Sequence, residues 1–214
     1  MDYSSAFWRI RDWFPKLSEQ AYHDLRLLHV ELLRFNEKIN LISVKTIVDA
    51  DLHHFADSMI VSSIARPLFQ GKTVWDIGTG NGFPGLVMAI LNRDTEFVLL
   101  DSDLKKLEFL KYMISNLKLT KARTEWKRIE DIKDESIDFG ISRAFAPLPR
   151  ALLVTRKAFR AKGIYLHMKS QEWPIEMASL PPQLCSTWNT TFMQDYNLPI
   201  GDIKMSLLKA EKIK

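Results

Sequence analysis

The chain has one cysteine, Cys185, in 214 residues. One thiol can form neither an internal disulfide nor a cysteine-rich zinc site, so secreted disulfide scaffolds and zinc ribbons are excluded. A reducing compartment, the cytoplasm, is the expected setting. Glycine and proline are scarce, at 8 and 9 residues, which excludes fibrous and low-complexity chains. No apolar run approaches the roughly 18 residues of a membrane span. The chain does not open on a basic segment followed by an apolar one, so neither a membrane protein nor an exported one is expected. The formal net charge is only +4, too small to name a partner by itself.

What is present suits a globule. A hydrophobic content of 46% can fill a core, and the length allows one large domain, or one domain with a short extension. The charge is unevenly placed. Residues 1–70 carry 8 bases and 9 acids, whereas residues 141–171 carry no acid and seven bases: Arg143, Arg150, Arg156, Lys157, Arg160, Lys162 and Lys169. Such a stretch attracts an anion, or is simply a solvated helix face.

The first 70 residues read as helical. Leu17 and Ser18 form a staple and cap, after which Ala21, Leu25, Leu28, Leu32 and Phe35 recur at spacings of three and four. Phe7, Trp8, Trp13 and Phe14 read as packing residues. A second helix is expected over 51–64, with Arg66-Pro67 and Gln70-Gly71 as punctuation. From Lys72 the pattern changes to short apolar runs (73–77, 96–100, 137–141, 163–168) alternating with helical stretches at 86–91, 104–117 and 150–159. Weaker strand candidates lie at 186–192 and 205–209. The alternation predicts an α/β fold, a mostly parallel, doubly wound sheet flanked by helices, over 71–214, with 1–70 as a helical extension packed on it. Ligands of such sheets bind at the carboxyl ends of the strands, where strand order reverses.

Residues 74–85 read V-W-D-I-G-T-G-N-G-F-P-G, and place Gly78, Gly80, Gly82 and Gly85, half of the chain's glycines, in one loop. Glycine lets a backbone approach a ligand closely and adopt positive φ. From Gly80 the loop also fits G-x-G-x-x-G, a dinucleotide fingerprint whose meaning depends on context. Asp76, in the strand just before it, would repel a pyrophosphate. It suits S-adenosylmethionine, which has no phosphate and carries an ammonium and a sulfonium. Asp101, ending the next strand, stands where an acid accepts hydrogen bonds from ribose hydroxyls, and one of Asp101, Ser102 or Asp103 should cap the following helix.

Five segments then resemble one family: Phe35 to Leu41 (F-N-E-K-I-N-L), His54 to Ser58 (H-F-A-D-S), the loop from Asp76 to Gly85, Leu99 to Ser102 (L-L-D-S), and Ser142 to Leu148 (S-R-A-F-A-P-L). In order and content they are similar to class I methyltransferases. They are closely similar to the bacterial small-subunit ribosomal RNA guanine-N7 methyltransferase family, historically called glucose-inhibited division protein B, over about residues 25–169. The resemblance implies a Rossmann-like fold and S-adenosyl-L-methionine in contact with Gly78, Phe83, Ile129, Glu130 and Arg143; Asp76, Gly80, Gly82, Asp101 and Ser102 are expected to bind the cofactor with them. It implies 16S ribosomal RNA or the small ribosomal subunit as partner, with Asn36, Lys38, Asn40, His54, Asp57 and Pro147 on the substrate side. The family's usual Lys-Gly pair is replaced by Lys169-Ser170, and its usual Ala or Pro by Asn81.

The residues also bear on the chemistry. Methylation of an exocyclic amine would call for Asn or Asp with Pro-Pro and an aromatic at the fourth strand end, where this chain has Ser142-Arg143-Ala144-Phe145. Methylation at pyrimidine C5 needs a cysteine nucleophile near the site, and Cys185 lies away from every strand end. Guanine N7 offers a lone pair and no proton, so it attacks a methyl without a general base. Arg143 is the expected catalytic residue, joining the strand end to the acid-free stretch. Lys105, Lys106, Arg128, Arg143, Arg150 and Lys169 are expected to form a basic rim for RNA phosphate. Asn36 and Asn40 either face the cleft or close the helix. His54 and Asp57, three residues apart, are expected to bond to each other rather than to a metal. No metal, no membrane and a monomer are expected. The alternatives are methylation of another RNA nucleotide, a nicotinamide oxidoreductase, and a catalytically silent RNA-binding protein.

Overall fold

The computed structural model describes residues 6–213. A short helix α1 (Ile10–Trp13) precedes α2 (Glu19–Ile39), whose first turn is capped by Ser18 through Ala21 N–H at 3.2 Å. Ala21, Leu25, Leu28 and Leu32 are buried as the spacing predicts, and Phe35 packs on Phe109. Helix α2 ends at Asn40, in the left-handed region at φ 38°. A π-helical turn, Asp51–Ala56, then runs directly into α3 (Asp57–Phe69). The helix therefore passes through Pro67 instead of stopping before it. Pro67 leaves the carbonyl four residues earlier, Ser63 O, without its helical donor, and the helix ends two residues later at Phe69.

The rest alternates strand and helix: β1 (Val74–Ile77), α4 (Gly85–Leu91), β2 (Phe97–Asp101), α5 (Leu104–Asn116), β3 (Ala122–Trp126), β4 (Ile137–Arg143), α6 (Leu148–Thr155) and β5 (Phe159–Lys169). Two short helices, α7 (Trp173–Ala178) and α8 (Pro182–Cys185), precede β6 (Trp188–Asn197) and β7 (Lys204–Lys212). No apolar run announces β3, because Ala-Arg-Thr-Glu-Trp forms an edge strand that stays half exposed. The helix expected over 150–159 ends at Thr155, and Phe159 already belongs to β5. Arg160, Ala161 and Lys162 fall in the irregular first part of that strand, where the pairing with β4 shifts register and Lys162 has φ 64°.

The seven strands run in the order β3-β2-β1-β4-β5-β7-β6. The first five are parallel, and β7 is antiparallel to both β5 and β6. A dinucleotide fold in the order 3-2-1-4-5-6 has no such inserted antiparallel strand. The two faces carry separate apolar cores. Leu25, Leu28, Phe55 and Phe69 of the amino-terminal helices share one with Val87, Phe97 and Phe109. Leu148, Leu152, Leu184 and Trp188 pack with Ile77, Leu100 and Tyr165 in the other. Strand order reverses between β1 and β4, so their carboxyl ends, Ile77 and Arg143, open onto a crevice.

Candidate cofactor and substrate cleft

A cleft of about 570 Å³ occupies that crevice. Its floor is Ile77 to Asn81 and Phe83. One wall is Leu100, Asp101, Ser102 and residues 127–130; the other is Arg143 to Ala146 with Leu41. The volume is that of a site for one nucleoside-sized ligand.

The loop is held from behind by Asp76. This carboxylate is fully buried and does not line the cleft. Its Oδ2 accepts from Thr79 Oγ1 at 2.7 Å and from Gly85 N–H at 2.8 Å, while Oδ1 has no partner. Asp76 thus orients a loop amide and does not meet the cofactor as expected. Burial pushes its pKa up to about 6, against the lowering by Thr79 and Gly85. A carboxyl whose folded pKa lies above its unfolded 3.8 binds more protons when folded, so its contribution falls as pH rises from about 4 to about 6, by about 3 kcal/mol. Asp76→Asn keeps one oxygen to accept both bonds and removes the charge. The variant is expected to melt higher at pH 7.5 than the parent, and to lose the decline in stability between pH 4 and 6. Thermal melts across that range check it.

Asp101 acts on the same loop from the front. Its Oδ2 accepts from Gly80 N–H at 2.7 Å and its Oδ1 from Asp103 N–H at 2.9 Å, leaving further lone pairs toward the cleft. Asp103, not Asp101 or Ser102, caps α5, accepting from Lys105 and Lys106 N–H. Four loop amides are therefore already satisfied: Thr79 by Leu100 O, Gly80 by Asp101, Gly82 by Thr79 O and Gly85 by Asp76. A pyrophosphate on this loop would find the carboxylate of Asp101 and few free amides. A cofactor without phosphate, carrying cationic and ribose groups, suits these donors and acceptors, with Phe83, Ile129 and Leu100 as apolar walls. S-adenosylmethionine fits these groups.

The structure separates the residues expected at this site. Gly78, Gly80, Phe83, Asp101, Ser102, Ile129, Glu130 and Arg143 line the cleft, with Lys106, Arg128 and Arg150 at its walls. Gly82 does not: a Cβ there would meet Leu110 at 2.8 Å and Leu86 at 3.1 Å, so its small size serves the packing of α4 and α5. Asn36 is a structural residue, its Oδ1 accepting from Ile42 N–H at 2.8 Å, and Asn40 closes α2. Lys38 and Lys105 are exposed on their helices, and Pro147 opens α6; none of the three lines the cleft.

The expected rim is also thinner in cations than the sequence suggests. Lys169 Nζ is drawn inward to Glu176 Oε2 at 2.7 Å and Ala146 O at 3.2 Å, away from any phosphate. The same Glu176 oxygen accepts from Leu148 N–H, so this carboxylate of α7 fastens the start of α6. Arg150 approaches Glu130 at 3.8 Å.

Arg143 departs furthest from its expected role as a bridge to phosphate. Its Nη1 donates to His53 O at 2.7 Å and Asp57 Oδ2 at 3.2 Å, and its Nη2 to His54 Nδ1 at 2.8 Å. The guanidinium is only 15% exposed and lies over Phe83 at 5.5 Å. A guanidinium can only donate, so His54 Nδ1 accepts and Nε2–H donates to Thr46 Oγ1 at 3.1 Å; Thr46 in turn donates to Ser43 O. Burial and the Arg143 charge hold His54 neutral, well below its ordinary pKa. His54 and Asp57 are thus joined through Arg143 and not directly to each other. Asp57 also accepts from Tyr196 Oη at 2.7 Å; burial raises its pKa, partly offset by Arg143. This network ties the end of β4 to the π-helical turn and α3 and to β6.

Sequence reasoning missed Leu41, Asn81, Lys127, Phe145 and Tyr196. Asn81 Nδ2 donates to Leu41 O at 3.0 Å, fastening the loop after α2 to the glycine loop. Its departure from the family's usual Ala or Pro was the available signal. Tyr196 lies 139 residues from its partner and has no local signal.

The family model described as rRNA small subunit methyltransferase G matches residues 21–195. The chain is 41% identical over 209 residues to Ribosomal RNA small subunit methyltransferase G 3 of Bdellovibrio bacteriovorus, covering 97% of this chain and 95% of that protein. It is 33% identical over 193 residues to Ribosomal RNA small subunit methyltransferase G of Histophilus somni, covering 88% and 87%. Among solved structures, a SAM dependent methyltransferase from Aquifex aeolicus shares the fold at a TM-score of 0.57 and 12% identity, covering 77% of this chain and 93% of that one.

Proposed function

The chain belongs to the rRNA small subunit methyltransferase G family, and from that premise we propose that it methylates N7 of a guanine in 16S ribosomal RNA. It is an S-adenosylmethionine-dependent rRNA methyltransferase. The cofactor supplies an electrophilic methyl on a sulfonium. In this reading Gly78, Gly80 and Phe83 form its bed, Asp101 and Ser102 receive the ribose, and Ile129 lies against the adenine with Glu130 at its edge. Arg143 does not reach for phosphate. It fixes the end of β4 and, through His54 and Thr46, the loop carrying Leu41, which Asn81 fastens to the glycine loop, so that the acceptor side of the cleft has a defined wall. Residues 6–70 are read as an extension that completes that side.

The observation that carries the acceptor is the make-up of the walls. Among the described residues that line the cleft there is no histidine, cysteine or tyrosine, and its two carboxylates already face Gly80, Asp103 and Arg150. An acceptor with a lone pair and no proton to lose needs only alignment and shielding from water. Guanine N7 meets that condition. The proposed setting is the cytoplasm and the proposed working form a monomer. No helix among the described residues is long and apolar enough to cross a membrane, and no group of three or more metal-ligating side chains occurs among them.

The test is transfer of labelled methyl from S-adenosylmethionine to purified small ribosomal subunits and to protein-free 16S rRNA, followed by nucleoside analysis. Label in 7-methylguanosine is the expected result. Label in another nucleoside would overturn the acceptor, and failure to bind S-adenosylmethionine would overturn the site.

A further inference from the structure

The acid-free stretch of residues 141–171 is only partly absorbed by the cleft. Arg143 pairs with Asp57, Arg160 with Asp138 and Lys169 with Glu176. Arg156 and Lys157, at the end of α6, have no such acid partner among the described residues; Arg156 only donates to the nearby Leu153 O.

Both line a groove that leads out of the cleft. Ile129, Glu130, Arg150 and Val154 are walls shared by the cleft and a second hollow of about 360 Å³ beside α6. Arg156 and Lys157 are in turn shared by that hollow and a third of about 700 Å³, bounded on its far side by Ser186, Thr187 and Lys212. Helix α6 follows β4, so the groove runs from the ligand end of the sheet back toward the opposite end. Arg150 and Lys157 are seven residues apart, about 10 Å along a helix at 1.5 Å per residue. That is about three phosphates at the ~3.4 Å rise of a stacked strand. Together the three hollows present eight bases and four acids, an excess equal to the formal +4 of the whole chain. Most of that excess lines the cleft itself; the two outer hollows add Arg156, Lys157 and Lys212, with Asp134 and Glu135 on the far wall of the third.

We infer that this groove carries the RNA strand next to the modified nucleotide, with Arg150, Arg156 and Lys157 on consecutive phosphates. The inference rests on reading the cleft as that of an rRNA methyltransferase. It assigns the surface to backbone recognition, which positions the target without reading its bases. The neutral stretch of Leu153 and Val154 between Arg150 and Arg156 gives sugars an apolar surface to slide past.

The test uses the full chain carrying Arg156→Glu and Lys157→Glu, with the milder Arg156→Ala and Lys157→Ala pair as a second variant. Affinity for protein-free 16S rRNA and for small subunits is measured by equilibrium binding at several salt concentrations, independently of turnover. The reversed pair is expected to bind both at least tenfold more weakly. The alanine pair is expected to reduce the slope of log affinity against log salt by about 1.4, or ~0.7 for each lost single-strand contact. S-adenosylmethionine affinity, measured by titration, should stay at the parent value. Unchanged affinity and slope on RNA would overturn the inference. So would a loss confined to intact subunits, which would assign the groove to an acidic ribosomal protein. Failure of the unsubstituted protein to methylate rRNA would strike at the functional reading instead, and is seen without either variant.

Discussion

Gly78→Ala is expected to lower S-adenosylmethionine affinity by at least an order of magnitude and to destabilise the fold by about 2–3 kcal/mol, from two separable causes. The residue has φ +68°, where an added Cβ costs about 1–2 kcal/mol. The new Cβ would also lie 2.3 Å from Cδ2 of Phe145 and 3.1 Å from two further atoms of the ring. Phe145 lines the cleft, so any shift that relieves the clash moves a wall of the cofactor site. Gly71→Ala separates the two causes. Gly71 has φ +72° and nothing within 4 Å of its would-be Cβ, so this variant incurs only the backbone strain and leaves the cleft untouched. Urea melts and cofactor titrations on the two variants should show a similar strain cost in both and a loss of affinity only at Gly78. Equal affinities would mean that Phe145 yields freely and does not define the site.

The same loop shows how far the sequence can be read. Four glycines in eight positions after an apolar strand mark a ligand loop, because Gly78, Gly80 and Gly82 take positive φ, which L side chains rarely adopt, and Gly85 has no room for a Cβ beside Asp76 and Leu99. The alternating runs after Lys72 place β1, β2, β4 and β5 for a similar reason: strands buried on both faces must be apolar. Where burial relaxes, the signal fades. Strand β3 is an edge strand with Arg123, Thr124 and Glu125 at its centre, and has no apolar run to betray it. Long-range electrostatics is less legible still. Arg143 stands in a stretch free of acids and reads as a cation available to RNA, yet folding brings Asp57 to it from 86 residues away. Lys169 is neutralised by Glu176, seven residues on and just beyond the acid-free segment. Charge counted along a chain predicts the field of a helix face, but a buried partner depends on the tertiary path. Arg156 and Lys157, which meet no acid among the described residues, look no different in sequence from the cations that are committed.

Arg143→Ala is expected to show whether the buried network is a scaffold or only a neutralised charge. Removing the guanidinium leaves Asp57, 3% exposed at its side chain, with Tyr196 Oη as its remaining donor. Breaking one side of a buried ion pair costs about 3–5 kcal/mol, because the other charge stays behind without compensation. Adding Asp57→Asn removes that charge while keeping an oxygen for Tyr196. The double variant should therefore regain half or more of the lost stability in urea melts. Methyl transfer should not return with it. Arg143 also holds His53 O and His54 Nδ1, and through His54 the Thr46 loop, and none of these contacts is restored by neutralising Asp57. Single-turnover transfer to rRNA is expected to fall at least a hundredfold in both variants, while cofactor affinity falls much less. If the double variant regains activity along with stability, Arg143 serves only as the counter-charge of Asp57, and the wall of the acceptor side is set by the packing of Phe83 and Phe55 instead.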